Sequence, residues 1–134
     1  MKFQLLDKVV ERSGERVVAV KQVSLAEEYL GDHFPGYPVL PGVMMLEAMV
    51  EAARLMLAGR TAERLVLGEV RALKWGSMVR PGEGLEVEVT LSKELTDGGF
   101  ECRGVGKVRR EEAGEATGKT AVSGRFTMRG IRKG

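Results

Sequence analysis

A chain of 134 residues is expected to hold one domain with one core and little else. Its 43% hydrophobic and 30% charged residues exclude extended disorder, and 21 basic against 19 acidic residues, a net charge of +2, exclude bulk nucleic-acid binding, which calls for a strongly basic stripe. Cys102 is the only cysteine, which excludes an intrachain disulfide and fits a reducing compartment. The N-terminal MKFQLLDKVVERSG is charged every few residues and has no apolar run of secretory length. No stretch approaches the ~20 apolar residues that a membrane span needs. The expectation is one cytoplasmic domain over residues 1–134, with no membrane partner.

In chain order, residues 3–10 and 16–23 read as strands joined around Ser13-Gly14, the second rich in β-branched residues. Ser24-Leu25-Ala26-Glu27 has capping-box spacing for a single helical turn. Residues 31–42, GDHFPGYPVLPG, concentrate three of the four prolines, and proline there rules out both a helix and a central strand. A helix is predicted over about 43–58. From Val43 to Val50 its only charge is Glu47, and a helix that is apolar all round is usually buried. The rest reads as β, over 64–76, 85–95, 99–110 and 117–129, separated by Arg80-Pro81-Gly82-Glu83-Gly84, Thr96-Asp97-Gly98-Gly99 and Glu111-Glu112-Ala113-Gly114. Leu85, Val87, Val89 and Leu91 alternate with polar residues, so that strand buries one face. Two strands, a buried helix and four long strands predict an α+β fold, an antiparallel sheet curled around one central helix.

Chemistry concentrates where the Pro/Gly loop meets the helix. His33 is the only histidine, with an unperturbed pKa of about 6.5 that suits a general base near neutrality. Being alone, it excludes a multi-histidine metal site, and no metal is expected. Glu47 stands about one turn into the helix, where burial raises a carboxyl pKa and makes it a proton donor. The Gly42 and Val43 amides open the helix at the positive end of its dipole and can hold a carbonyl oxygen that gains charge. Base, acid and oxyanion donor are the parts needed to remove a proton α to a thioester and expel a β-hydroxyl. Plainer readings stand beside this one. A lone loop histidine is more often structural, Glu47 can simply face solvent, Met44, Met45, Met49 and Met56 are more simply core filler, and Cys102 is more simply an inert packed thiol.

The segment from His33 to Met49, HFPGYPVLPGVMMLEAM, resembles the signature of the 3-hydroxyacyl-(acyl carrier protein) dehydratases of type II fatty acid synthesis: HFPG, a short spacer, PG, and an acidic residue on the helix. Glu rather than Asp at position 47 is similar to the broad-chain-length branch. More weakly, Phe3–Val9 resembles the family's first strand, and Val70–Trp75 with Arg80-Pro81-Gly82-Glu83 its strand and turn after the helix. The sequence departs in lacking the family's upstream HRYP segment, in Asp32 where a glycine usually precedes the histidine, and in Ser77-Met78 where the family has a basic-Pro pair.

The resemblance implies a hot-dog fold and a homodimer, in some members assembled to a hexamer, with each active site shared across the interface. It implies that His33 removes the C2 proton, that Glu47 protonates the departing C3 hydroxyl, that Gly42 and Val43 bind the thioester carbonyl, and that no cofactor takes part. The substrate rides on acyl carrier protein or coenzyme A. Carrier surfaces are acidic, so Arg71, Lys74 and Arg80 are the expected docking residues, with Arg125, Arg129, Arg132 and Lys133 a second basic group. The alternatives are an enoyl-CoA hydratase, a thioesterase or a non-catalytic acyl-binding domain. The intact His33/Glu47 spacing disfavours a thioesterase, which needs no such histidine.

Overall fold

A computed structural model describes residues 6–23, 42–110 and 115–131. In them six strands form one antiparallel sheet: β1 (Lys8–Arg12), β2 (Arg16–Gln22), β3 (Leu65–Trp75), β4 (Glu83–Glu94), β5 (Phe100–Arg110) and β6 (Glu115–Gly130), in the spatial order β1-β2-β4-β5-β6-β3. The helix α1 (Gly42–Leu57) lies against one face of this sheet. The predicted capping turn at 24–27, most of the Pro/Gly loop and the 111–114 turn fall outside the described residues.

The turns follow their sequences. Ser13 Oγ accepts from the Glu15 and Arg16 amides and closes the β1–β2 hairpin. Arg80–Glu83 is a β-turn with Glu83 N donating to Arg80 O, Pro81 second and Gly82 at φ +90°, the type II pattern. At the β4–β5 hairpin Gly98 takes φ +88° and Asp97 Oδ1 accepts from Gly99 N.

Residues 3–5 of the predicted strand 3–10 fall outside the described residues, and β1 extends past its predicted end. Its pairing begins at Lys8 and runs on to Arg12, because a bulge at Val10 lets Glu11 and Arg12 keep register with Val18 and Val17. All five residues are exposed, as an edge strand tolerates, and charge there discourages further strand addition.

The inner face of the sheet carries Val17, Ala19, Leu85, Val87, Val89, Cys102, Val122, Phe126 and Met128, all at most 2% exposed. Onto it α1 sets Met45, Ala48, Met49, Ala52, Ala53 and Met56. Small side chains on the helix and glycines on the strands let the two approach closely. A Cβ on Gly104 would stand 2.5 Å from Met49 Sδ and 3.3 Å from Phe126 Cε1. Burial of each such methionine stabilises the fold by roughly 1.5–3 kcal/mol. Cys102 is packed in this core, and burial pushes its thiol up to about 12, so it is inert at neutral pH, as expected of a structural cysteine.

Strand β3, at the other rim, is bulged twice against β6, between Leu67 and Val70 and between Arg71 and Lys74. The second bulge puts exposed Ala72 at φ +52°, a left-handed conformation that costs an L-residue roughly 1–2 kcal/mol. Part of that gain is offset in an Ala72→Gly variant by the looser unfolded chain. The expected net result is about 0.5–1 kcal/mol of added stability, read as a higher urea midpoint. A midpoint below wild type would show that the bulge does not strain this residue.

Candidate active site

The site is built on the first turns of α1. The helix begins at Gly42, one residue before the predicted start. The first four amides of a helix have no intrahelical acceptor. The first turn of α1 contains no acidic residue, so the positive end of the dipole is left without a neutralising side chain of its own. The opposite end is tied down. Arg12 Nη2 donates to Leu55 O at 2.9 Å, and Arg60 N donates to Leu57 O at 2.9 Å. Those bonds occupy carbonyls that the helix cannot satisfy itself.

Glu47 lies five residues beyond Gly42, about 7.5 Å along the axis at 1.5 Å per residue. It is four residues from Val43 and shares its stripe, and both are exposed, as is Arg54 further along. This corrects the expectation of a helix buried on every side. The sheet covers one side of α1 and leaves Val43, Glu47 and Arg54 outward, so in a single chain the carboxylate of Glu47 is solvated. His33 and Asp32 fall outside the described residues.

Gly42 is covered from the sheet side by Trp75. A Cβ on Gly42 would lie 3.0 Å from the indole Cη2 and Cζ3 and 3.2 Å from Cζ2. No sequence signal pairs these residues: the register of β3 against β6, Trp75 opposite core residue Val122, decides that the indole is on the helix side.

On the outer face of the sheet the register brings cations together. Arg103 of β5 faces Arg125 of β6, and Arg125 faces Arg71 of β3. Lys74 joins them around an open cleft of about 550 Å³, together with Glu101, Ser123 and Gly124. Arg71 is held by Glu69, with Nε 3.0 Å from its Oε1, which raises the guanidinium pKa through that hydrogen bond and keeps the carboxyl below its ordinary range. Among the described residues neither Arg103 nor Arg125 forms a salt bridge. Of the three expected docking residues, Arg71 and Lys74 share this cleft, whereas Arg80 stands apart in the β3–β4 turn. Arg103 escaped the sequence reading because cross-strand neighbours appear only once register is known. Arg129 is engaged by Asp97, and Arg132 and Lys133 fall outside the described residues.

Residues 9–114 match the family model described as ApeI-like, ApeI dehydratase. The curated 3-hydroxyacyl-[acyl-carrier-protein] dehydratase FabZ of Lactobacillus helveticus is 36% identical over 130 residues, covering 92% of this chain and 80% of that protein. Its namesake in Pseudothermotoga lettingae is 36% identical over 114 residues, covering 84% and 81%. Among solved structures, the dehydratase heterocomplex ApeI:P of Xenorhabdus doucetiae matches with a TM-score of 0.71 at 20% identity, over 97% of this chain and 84% of that one. At that identity the likeness establishes the fold, and it is the hot-dog fold expected from the sequence.

Proposed function

The chain belongs to the FabZ-like family of hot-dog 3-hydroxyacyl-[acyl-carrier-protein] dehydratases, and we propose that it removes water from 3-hydroxyacyl thioesters with His33 as base and Glu47 as acid. The product is the trans-2-enoyl thioester of fatty acid biosynthesis, and the setting is the cytoplasm. His33 takes the C2 proton. The C2–H electrons form the C2–C3 double bond, and the C3–O bond breaks as Glu47 delivers a proton to the departing hydroxyl, which leaves as water. The Gly42 and Val43 amides steady the thioester oxygen as charge builds on it. No cofactor has a part in these steps.

The observation that carries this reading is the placement of Glu47 just past the start of a helix whose own first turn bears no acid. A second copy covering the outward stripe of α1 would desolvate Glu47 and bring the other copy's His33 opposite. The outer strand β3, eleven residues long and among the described residues paired only with β6, is the edge on which such a copy would add. The working unit is therefore a homodimer of one-domain chains, and a hexamer would be three such dimers. The outer-face row of Arg71, Arg103 and Arg125 with Lys74 offers an acidic carrier protein a surface on which like charges, unfavourable beside one another, gain partners. Arg80 takes no part in that row.

The test offers purified protein crotonyl-pantetheine, crotonyl-CoA and crotonyl carrier protein, following water addition by loss of enoyl absorbance. Hydration is expected with all three, fastest on the carrier. Inertness toward all three would end the dehydratase reading. A clean monomer by light scattering under assay conditions would end the shared site.

A further inference from the structure

We propose that Trp75 is a positioning residue for this reaction: its indole is the backstop that fixes the Gly42 amide where the thioester oxygen must sit. The inference rests on the dehydratase reading of Gly42 and adds a residue to it.

Two observations meet here. The first is the contact itself. Three atoms on the benzo edge of the indole lie 3.0–3.2 Å from where a Gly42 Cβ would be, so the ring is seated directly on the helix's first residue. The second is how firmly the ring's own backbone is held. Trp75 is the last residue of β3, opposite Val122. Beyond it Gly76 N donates to Ala121 O and Ser77 N to Thr120 O, each at 2.9 Å, and a Cβ on Gly76 would collide with Thr120 O. The end of β3 is thus locked to β6, and the indole projects from a fixed base.

The first turn of α1 bears no acidic residue of its own, and a rigid aromatic face packs against its first residue. The ring also keeps water off one side of the Gly42 backbone, which strengthens a hydrogen bond given by that amide. Its other side stays available, since Trp75 is 52% exposed. A side chain at position 42 would disturb this contact: even a methyl group would press the ring away by a few tenths of an ångström.

Because the backstop governs oxyanion placement, its loss should reduce kcat and leave KM nearly unchanged, as for an interaction realised in the transition state. Misplacement of a reacting group by about 1 Å can cost on the order of 100-fold in rate. For Trp75→Ala a loss of about 10- to 100-fold in kcat on crotonyl-pantetheine is expected, with recovery to within about 3-fold in Trp75→Phe, which restores an aromatic face. Circular dichroism and light scattering confirm that each variant is folded and assembled. Should Trp75→Ala fail to fold, Trp75→Leu carries the same comparison against Phe. A further readout is built in, because Trp75 is the chain's only tryptophan. Its emission should change on titration with crotonyl-pantetheine, and saturate at the concentrations that saturate turnover.

The proposal is overturned if the folded Ala or Leu variant keeps wild-type kcat, if the loss falls wholly on KM, or if the emission ignores saturating ligand. In each case an active wild type leaves the dehydratase reading standing. If the wild type itself adds no water to crotonyl thioesters, that reading fails first and takes this proposal with it.

Discussion

His33→Ala and Glu47→Gln should each lower crotonyl-thioester hydration by at least ~100-fold, the lower range for removing a general acid or base. The two substitutions probe different halves of the same step. Alanine at 33 removes the only imidazole in the chain. Glutamine at 47 keeps the size and hydrogen bonding of the side chain and removes the transferable proton. On the outward stripe of α1, where Glu47 stands exposed, that change leaves the core of the single chain untouched, so unfolding cannot explain a lost rate. Mixing the inactive variants supplies the control for a shared site. A heterodimer of the two has one intact pairing of His33 from one copy with Glu47 from the other, so re-association should return up to about a quarter of wild-type activity, on the random pairing of a symmetric dimer. Turnover close to wild type in either single variant would remove that residue from the mechanism. Heterodimers that form and stay silent would remove the cross-subunit arrangement alone.

The second large effect concerns the floor under the helix. Phe126→Ala should destabilise the protein by about 3–5 kcal/mol, the usual cost of emptying a buried aromatic site. Phe126 is 2% exposed on β6, opposite Cys102 and Val70, with its ring edge beside Gly104 and Met49 above. The neighbours that would have to fill the void are glycine and a methionine already seated against it, so collapse is limited. A fall in the denaturant midpoint with unchanged slope, measured at fixed protein concentration, checks this. A loss under 1 kcal/mol would mean that Met49 swings into the space.

The strands from β2 onward were legible because their signals are local. Leu85, Val87, Val89 and Leu91 alternate, Pro81-Gly82 and Asp97-Gly98 turn, and the observed bounds lie within about two residues of the expected ones. The end of β1 was not legible, since its extension to Arg12 depends on a bulge at Val10 that no composition signal marks. For the candidate site the sequence supplies residue types, and only the structure supplies the surroundings of those it describes. An unbroken apolar run around Glu47 promised burial, yet which sides of a helix are covered depends on where the sheet lies, and one side of α1 faces out. Trp75 over Gly42 and Arg103 beside Arg125 come from pairing registers of β3, β5 and β6, contacts between residues that are distant in the chain. Sequence spacing carries no information on those.

The exposed rim formed by β3 has a consequence for the protein's life in the cell. Among the described residues β3 pairs with β6 alone, so its eleven residues offer an edge that an extended segment could join, and the charged residues and bulges of that strand only blunt the hazard. Pairing with a twin would seal the rim and finish the active centre in one event. Solubility and turnover should then share one threshold: dilution below it yields orphan subunits that are both idle and sticky.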